Sequence, residues 1–491
     1  MRKIFIPFLL RASIGGVLAG LALSEKGAFL MPIALSLLWS VFANCKASFG
    51  WGFFAVFVSH RWLLALHPLD WVGIPLSLSL PVAIAVLIAC SMLGGFFVGA
   101  WSVLGRLLIS RDFANLSFRE CFFYSIFMSC VWGLGEVILS HSRFFWIGIG
   151  GSLLPGDIYL AGIARWFGSG GLAVIQLMIG WWLWKIFLLI RNFEEWKKLF
   201  FVGFLLIFGF HLVGWKLLSI DMNYPSISVG LWQTSISIRE RASASTQSPN
   251  FHEIDQALLH AKELGADIFL APEGTLHKEH YLQSPAPIPF LSGGIQNING
   301  RARNSLFVFD KNESSPSSII DKYRLVPLGE WIPSLFGVPL NKTFTVSSLE
   351  SGDQSRLLNW NGPPLAAAIC YEISDGYLLS KAVNNGAVWI LAISNLDPYP
   401  VLLQKQFLKL ASLRSIENSR SLVSVSNTGP SVIIYPNGKI ISLIEPFVSG
   451  IRTVELPLNE EITGYAIWKD LPLFIMVFIT GFYVLSLDKK N

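Results

Sequence analysis

Eight stretches of this 491-residue chain are apolar over the length that crosses a bilayer as a helix, about 20 residues each. Seven begin near Ile4, Phe29, Phe49, Gly73, Cys121, Leu172 and Leu199, and the eighth covers residues 471–487. In hydrocarbon a backbone must satisfy its own hydrogen bonds, so such stretches fold as helices. The run at 73–108 is long enough for one tilted helix or for a helix plus a re-entrant piece. The composition agrees: 53% of residues are hydrophobic and only 14% are charged, against about 25% charged in ordinary globular chains. Disorder, a collagen-like structure, a coiled coil and a single soluble domain are all excluded.

Charge divides the chain. Residues 222–469 hold 19 Lys+Arg and 21 Asp+Glu, a net of −2; the remainder holds 18 and 11, a net of +7, and the two sum to the overall +5. The basic excess therefore sits in the apolar part, leaving no basic face for nucleic acid. With the N-terminus in the cytoplasm, the loops on that side carry Arg2, Lys3, Lys46, Arg106, Arg111, Arg119, Lys185, Arg191, Lys197, Lys198, Lys489 and Lys490. The other side's short loops carry only Lys26, Arg61, Arg143, Arg165 and Lys216. By the positive-inside rule this asymmetry requires an even number of spans and places 222–469 outside the cytoplasm. The expected organisation is seven spans in 1–221, a soluble domain at 222–469, and an eighth span with a short cytoplasmic tail at 470–491. The first run reads as a span rather than a cleaved signal, because Arg11 interrupts it and more spans follow. Residues 144–155, FFWIGIGGSLLP, are short and glycine-rich and read as an interfacial or re-entrant piece. Glu136, near the outer end of the fifth run, is either a hydrogen-bonding anchor or a functional group.

Within 222–469 short apolar strands alternate with helical spacing, the pattern of a layered α/β fold. β-like runs lie at 226–232, 267–273, 289–295, 305–310, 318–323, 365–372, 387–394, 421–427 and 431–436; helical spacing covers 250–264, 375–385 and 401–418. Residues 234–250, rich in Ser, Thr and Arg, read as a loop, and Gly429 and Asn437-Gly438 mark the last hairpins. Cys45, Cys90, Cys121 and Cys130 lie in apolar stretches as small buried thiols. Cys370 is alone in the soluble part and is either inert core or chemistry. It closes LAAAIC, where a strand-to-helix turn would aim the sulfur outward beside free backbone N–H groups. Glu273 and Lys322 stand near other strand ends, a carboxylate to take a thiol proton and an ammonium to hold negative charge. No P-loop, G-x-G-x-x-G, G-x-S-x-G or H-E-x-x-H occurs. His277 and His280 are spaced i, i+3 without a third ligand, so no metal and no cofactor is expected.

Three motifs together carry a resemblance: APEG at 271–274, DKYRLVPLGEW at 321–331 and AAAICYEI at 366–373. Their order, spacing and strand context resemble the nitrilase, or carbon–nitrogen hydrolase, superfamily. The LVPLGE and CYE forms, with the eight-run layout, are similar to its membrane branch, the apolipoprotein N-acyltransferases. The resemblance implies a four-layer α-β-β-α sandwich with Glu273 as general base, Lys322 as oxyanion stabiliser and Cys370 as nucleophile. It further implies Glu330, Tyr371 and Glu372 as supporting residues of the site. It also implies ping-pong transfer of an acyl chain from a phospholipid, through a Cys370 thioester, to the N-terminal amine of diacylglyceryl-cysteine on a lipoprotein. The partners would be a phospholipid donor and a lipoprotein acceptor, at the outer face of a bacterial inner membrane, with the chain a monomer.

The sequence departs from the family in places. The usual Asp-x-Trp-Phe after Asn395 is replaced by Leu396-Asp397-Pro398-Tyr399-Pro400, and Gln406 is followed by Phe407 where a histidine is usual. The tryptophan that often follows the first soluble strand is absent unless Trp232 stands in for it. Arg414 and Glu417 match an Arg-Ala-x-Glu helix, with Ser415 for the alanine. Two other readings remain open: a superfamily enzyme acting on a different lipid-linked amine or amide, and a catalytically dead membrane scaffold.

Overall fold

A computed structural model describes residues 7–70, 73–108, 116–219, 224–237, 249, 251–276, 281–331, 334–335, 338–339 and 349–488. His277, His280, most of the 234–250 loop, and Arg2, Lys3, Arg111, Lys489 and Lys490 of the charge argument lie outside these residues.

Each apolar run coincides with a helix. They are α1 (Phe8–Leu21), α2 (Gly27–Val41), α3 (Cys45–Ser59), α4 (Leu76–Leu107), α5 (Phe118–Ser140), α7 (Ala164–Arg191), α8 (Lys197–Leu218) and α13 (Leu471–Asp488), with a short α6 (Ile158–Ala161) between α5 and α7. Among the described residues, five apolar helical segments are long enough to cross a membrane: Phe8–Glu25, α4, α5, α7 and α8; Gly27–Val41, Cys45–Ser59 and Leu471–Ser486 are shorter. The run at 73–108 is a single helix of 32 residues rather than a helix and a re-entrant piece. Local sequence sets several ends. Ser117 caps α5 in a capping box with Glu120, and the Asn44 side chain accepts from Ala47 N at the start of α3. The outward faces of α4 and α8 carry exposed apolar side chains such as Phe96, Phe201, Phe204 and Phe208, which suit lipid rather than water.

The remainder builds two six-stranded sheets. The first has the order β14-β1-β2-β3-β4-β5, from β1 (Ser226–Gln233), β2 (Ile268–Leu270), β3 (Phe290–Ile298), β4 (Arg301–Phe309), β5 (Ser318–Asp321) and β14 (Gly450–Pro457). The second has the order β13-β12-β11-β10-β9-β8, from β8 (Leu357–Leu358), β9 (Leu365–Ile369), β10 (Trp389–Ser394), β11 (Leu422–Ser426), β12 (Ser431–Ile434) and β13 (Ile440–Ile444). A small hairpin, β6 (Ser334–Leu335) and β7 (Val338–Pro339), stands apart. β1 to β3 run parallel, as do β9 to β11. The period-two alternation explains the packing. Leu365, Ala367 and Ile369 of β9 share one apolar cluster with Leu231, Leu270 and Leu291 of the other sheet. Ala366 and Ala368 face the opposite way, into a cluster with Leu379 and Val383 of α10 (Gly376–Asn384) and Leu403, Phe407 and Leu410 of α11 (Val401–Asn418). On its outer side the first sheet packs Phe269, Phe290 and Phe307 against α9 (Phe251–Glu263). Trp232 belongs to this last cluster, inside β1 and stacked on Phe269 at 6.1 Å. It is core on the outer face of the first sheet.

The strand runs read from sequence are all present, with shifted ends. The run at 365–372 stops at Ile369 and turns into a 3-10 turn, Cys370–Ser374. The sequence pattern leaves β6, β7, β8, β13 and β14 unmarked, and the longest of these is β14. Its residues, GIRTVELP, alternate only weakly, and pairing with β1 supplies what local pattern does not.

α11 joins the two parts. One face of it, three turns long, contacts membrane-helix ends through backbone groups. Gln406 Nε2 donates to Ser59 O at the end of α3, 2.9 Å, and Lys409 Nζ to Ala22 O and Leu23 O beyond α1, both 3.3 Å. Glu417 Oε1 accepts from Ser169 N, 3.0 Å. Ser169 restarts α7 after Gly168, whose φ of +60 breaks the helix. A Cβ at Gly168 would clash with the ring of Tyr465, which lies in the short α12 (Gly464–Trp468). Gln406 thus meets the C-terminal end of α3 and Glu417 the restarted N-terminal end of α7, while Lys409 meets the π-helical turn Ala22–Lys26 that joins α1 to α2.

Of residues 144–155, Trp146, Ile147 and 149–154 are buried, while Phe144 and Pro155 are exposed. Within this segment Ile149–Leu153 forms a 3-10 turn and Trp146 donates to Gln406 Oε1 at 3.0 Å. Glu136 accepts from Trp132 Nε1, 2.9 Å, and Ile149 N, 3.0 Å. Of its two readings, the structure gives it the hydrogen-bonding anchor.

Candidate active site

Glu273 and Lys322 follow β2 and β5 of the first sheet, and Cys370 and Asn395 follow β9 and β10 of the second. This is where layered α/β folds gather their sites. Glu273 can sit so deep because β3 has Gly293 beside it; a Cβ there would lie 2.5 Å from the Glu273 Cα. Cys370 has φ +52, a left-handed conformation uncommon for a side-chain-bearing residue, and opens a 3-10 turn.

These groups converge. Lys322 Nζ donates to Glu273 Oε1 at 3.0 Å and to Glu330 Oε1 at 2.8 Å. Asn304 Nδ2 donates to the same two oxygens at 2.6 and 3.0 Å. The other Glu273 oxygen accepts from Asn395 N at 2.7 Å, and the other Glu330 oxygen from Val326 N at 2.8 Å. The charges of Glu273, Lys322 and Glu330 all reach the Cys370 thiol. Lys322 is 1% exposed, a position in which an ammonium persists only when paired. Burial works against its charge, but Glu273 and Glu330 outweigh that and hold it firmly protonated. One ammonium between two carboxylates leaves a net negative charge, which disfavours a second anion. Burial first, then Glu273, push the Cys370 thiol well above its ordinary range, with Lys322 opposing. The resting sulfur is therefore a thiol, with the Glu273 carboxylate among the charges that act on it.

Glu372 has a different place. It lies nine-tenths buried behind the turn, bound by Arg356 Nη1 at 2.8 and 2.9 Å, Tyr323 N at 2.6 Å, Arg324 N at 3.2 Å and Ile369 N at 2.8 Å. It ties the lysine-bearing segment to the cysteine-bearing turn and does not face the thiol. Tyr371 points toward the membrane helices. Its ring stacks on Trp146 at 5.5 Å and 11°, and its hydroxyl donates to Arg143 O and Phe145 O at 3.1 and 3.0 Å. Across the site, Tyr399 of the rebuilt 396–400 loop meets Trp62 edge-on at 5.7 Å. Burial holds its phenol protonated, and the charges of Cys370, Glu330, Lys322 and Glu273 all reach it.

All six residues that the sequence singles out are in or around this cluster. Asn304, Arg356, Arg324, Trp146, Trp62 and Tyr399 join it without being singled out. Asn304 left one trace, a polar residue interrupting the apolar strand RARNSLFVF. Trp146 and Trp62 come from the apolar part and reach the site only through the tertiary fold.

The carbon–nitrogen hydrolase family model matches residues 288–463. An amidase of the nitrilase superfamily from Nesterenkonia superposes on 52% of this chain and 98% of its own, at 18% identity and a TM-score of 0.38. An apolipoprotein N-acyltransferase of Prochlorococcus marinus is 46% identical over 100% of this chain and 99% of its own length. The enzyme of the same name from Parasynechococcus marenigrum is 42% identical over 93% and 96%. With that identity over the full length, and a nitrilase-like α/β domain joined to apolar helices, the chain belongs to the apolipoprotein N-acyltransferases of the carbon–nitrogen hydrolase superfamily.

Proposed function

We propose that the protein moves an acyl chain from a phospholipid to the N-terminal amine of a diacylglyceryl-cysteine lipoprotein, in two half-reactions on Cys370. The observation that carries this is a Glu273 carboxylate that receives Lys322 at 3.0 Å, set beside the turn that Cys370 opens in a left-handed conformation. Glu273 takes the thiol proton as sulfur attacks the ester carbonyl. Lys322, with the free N–H groups that open the Cys370 turn, holds the oxyanion. The C–O bond breaks, Glu273 returns the proton to the departing alkoxide, and a lysophospholipid leaves a thioester behind. The neutral amine then attacks the thioester, Glu273 accepts its proton, and the C–S bond breaks to give the amide and a thiolate that takes the proton back. Glu330 supports this cycle by sharing the Lys322 charge and the Asn304 amide, so that Glu273 need not act only as their counter-ion. Water must stay out between the half-reactions. Trp146 and residues 149–153, buried beside the site, suit that need.

The architecture of this reading is eight spans, with a four-layer α-β-β-α domain of residues 222–469 on the outer side of the inner membrane and both termini inside. The eight apolar helices and the twelve-to-five distribution of basic residues support it, as do the apolar clusters on both faces of each sheet. The protein works as a monomer, since one chain carries every group the cycle uses. Intact-mass analysis of the purified full chain with phospholipid tests the reading. One added acyl group on Cys370, discharged by a diacylglyceryl-cysteine peptide, is expected. A mass shift that persists in Cys370→Ala, or none in the native chain, rejects it; an acyl group that only other amines discharge points to a different acceptor.

A further inference from the structure

Two aromatic pairs flank the nucleophile, and each combines a tryptophan of the apolar part with a tyrosine of the α/β domain. Trp146 stacks on Tyr371, the residue after Cys370, and Trp62 meets Tyr399 edge-on. One side chain touches the supports of both. The Gln406 carboxamide accepts from Trp146 Nε1 at 3.0 Å and donates to Ser59 O at 2.9 Å, three residues before Trp62. The two bonds use opposite ends of the amide, so its orientation is determined: an indole N–H can only donate and a backbone carbonyl can only accept. Gln406 is fully buried and rooted in α11, whose neighbouring residues Leu403 and Phe407 lie in the same apolar cluster as Trp146.

We infer that Gln406 is a positioning residue that sets the Trp146–Tyr371 and Trp62–Tyr399 pairs relative to each other, and that the donor's acyl chain passes between these pairs to reach Cys370. The inference rests on the acyl-transfer reading above. A long chain must lie between the two pairs to bring its carbonyl to the sulfur, whereas a very short one does not reach them. Loss of the spacer therefore acts on discrimination by chain length more than on the chemistry. An apolar replacement also strands the Trp146 N–H, a buried donor without an acceptor, which gives the ring a reason to leave its seat.

The test uses the full chain in nanodiscs with two phosphatidylethanolamines, one carrying palmitoyl and one butyryl chains, and follows acyl-enzyme formation by intact mass. Gln406→Met is expected to lower the long-over-short preference in kcat/KM by about tenfold, the equivalent of one hydrogen bond, chiefly through KM for the long donor. Gln406→Glu is expected to keep the preference near pH 5, where a protonated carboxyl can both accept from the indole and donate to Ser59 O, and to lose it by about pH 8. Oxidative footprinting of the same samples is independent of turnover: Trp146 is expected to become several-fold more reactive in Gln406→Met while Trp39 and Trp51 stay protected. Equal loss with both donors, or Trp146 as protected in Gln406→Met as in the native chain, overturns the inference. Absence of acylation in the native chain refutes the acyl-transfer reading and the seat with it, while the footprint still decides whether Gln406 holds Trp146.

Discussion

Lys322 lies closer to Glu330 than to Glu273, 2.8 Å against 3.0 Å, and Asn304 bridges the same two carboxylates. The lysine charge is thus held by a second glutamate, and the proposed roles of base for Glu273 and oxyanion holder for Lys322 can be tested apart. Lys322→Met keeps the stem and removes the charge, so it should slow both half-reactions by about two to three orders of magnitude. Glu273→Gln should suppress acylation at neutral pH. Glu273 is also one cause of the raised Cys370 thiol, so its loss eases ionisation, and raising the pH should partly rescue Glu273→Gln but not Lys322→Met. Equal rescue of both, read from acylation rates against pH, would show that the pair is only an ion pair holding two strands.

Cys370→Ser and Cys370→Ala should end acyl-enzyme formation with little change in thermal unfolding, because the sulfur sits at a turn rather than inside a sheet. Changing Cys45, Cys90, Cys121 and Cys130 together to Ala should leave acylation measurable by mass, since these thiols are free and none meets Glu273. A folded but inactive quadruple variant beside an active Cys370→Ala would reverse the assignment.

The Arg356–Glu372 pair, both side chains 2% exposed, is a strut. Arg356→Met leaves Glu372 charged and under-compensated in the interior, a cost of about 3–5 kcal/mol. Unfolding of the α/β part should move down by about 10 °C. Calorimetry on the full chain checks this, and a shift within the error of the native value would show that the backbone N–H groups around Glu372 suffice.

Burial pushes Lys409 down to about 8, with Glu25 opposing that shift. Its unfolded value is near 10.5, so as pH falls through that window the unfolded chain gains its proton first. The contribution is full above the unfolded value and is lost as pH falls through about 8. Thermal stability of the native chain should therefore gain more between about pH 8 and pH 10 than that of Lys409→Gln, which keeps donors without titrating. Identical slopes would show that Lys409 is not coupled to folding.

Sidedness has its own check. A reporter fused after Ser243 should be active only outside the cytoplasm and one after Asn491 only inside. A cytoplasmic signal from the first would overturn the eight-span arrangement and, with it, the lipid-transfer reading.

Much of the site is legible in sequence because its members sit at strand ends, where period-two burial stops and polar residues become conspicuous. Glu273, Lys322 and Cys370 are visible for that reason. Asn304 and Arg356 are not, since a hydrogen-bond partner across a sheet leaves no spacing in the chain that carries it. Trp146 is separated from Gln406 by 260 residues. Its run reads as interfacial because Gly and apolar residues suit both a membrane surface and a buried connector, and only packing against α11 decides. The lengths of α2 and α3 are likewise unreadable, because hydropathy marks where chain is apolar and not where a helix stops.

The contacts along α11, at Gln406, Lys409 and Glu417, and those away from it, at Tyr371 and at Arg324 through Ser140 O, have a geometric consequence. A rigid body held along a line and again off that line can neither tilt nor slide. The elevation of the Cys370 sulfur above the helix bundle is then a fixed coordinate. On the proposed reaction, a phospholipid would offer ester bonds of nearly equal chemistry that differ in depth, and a Cys370 nucleophile at one elevation would sort them by altitude.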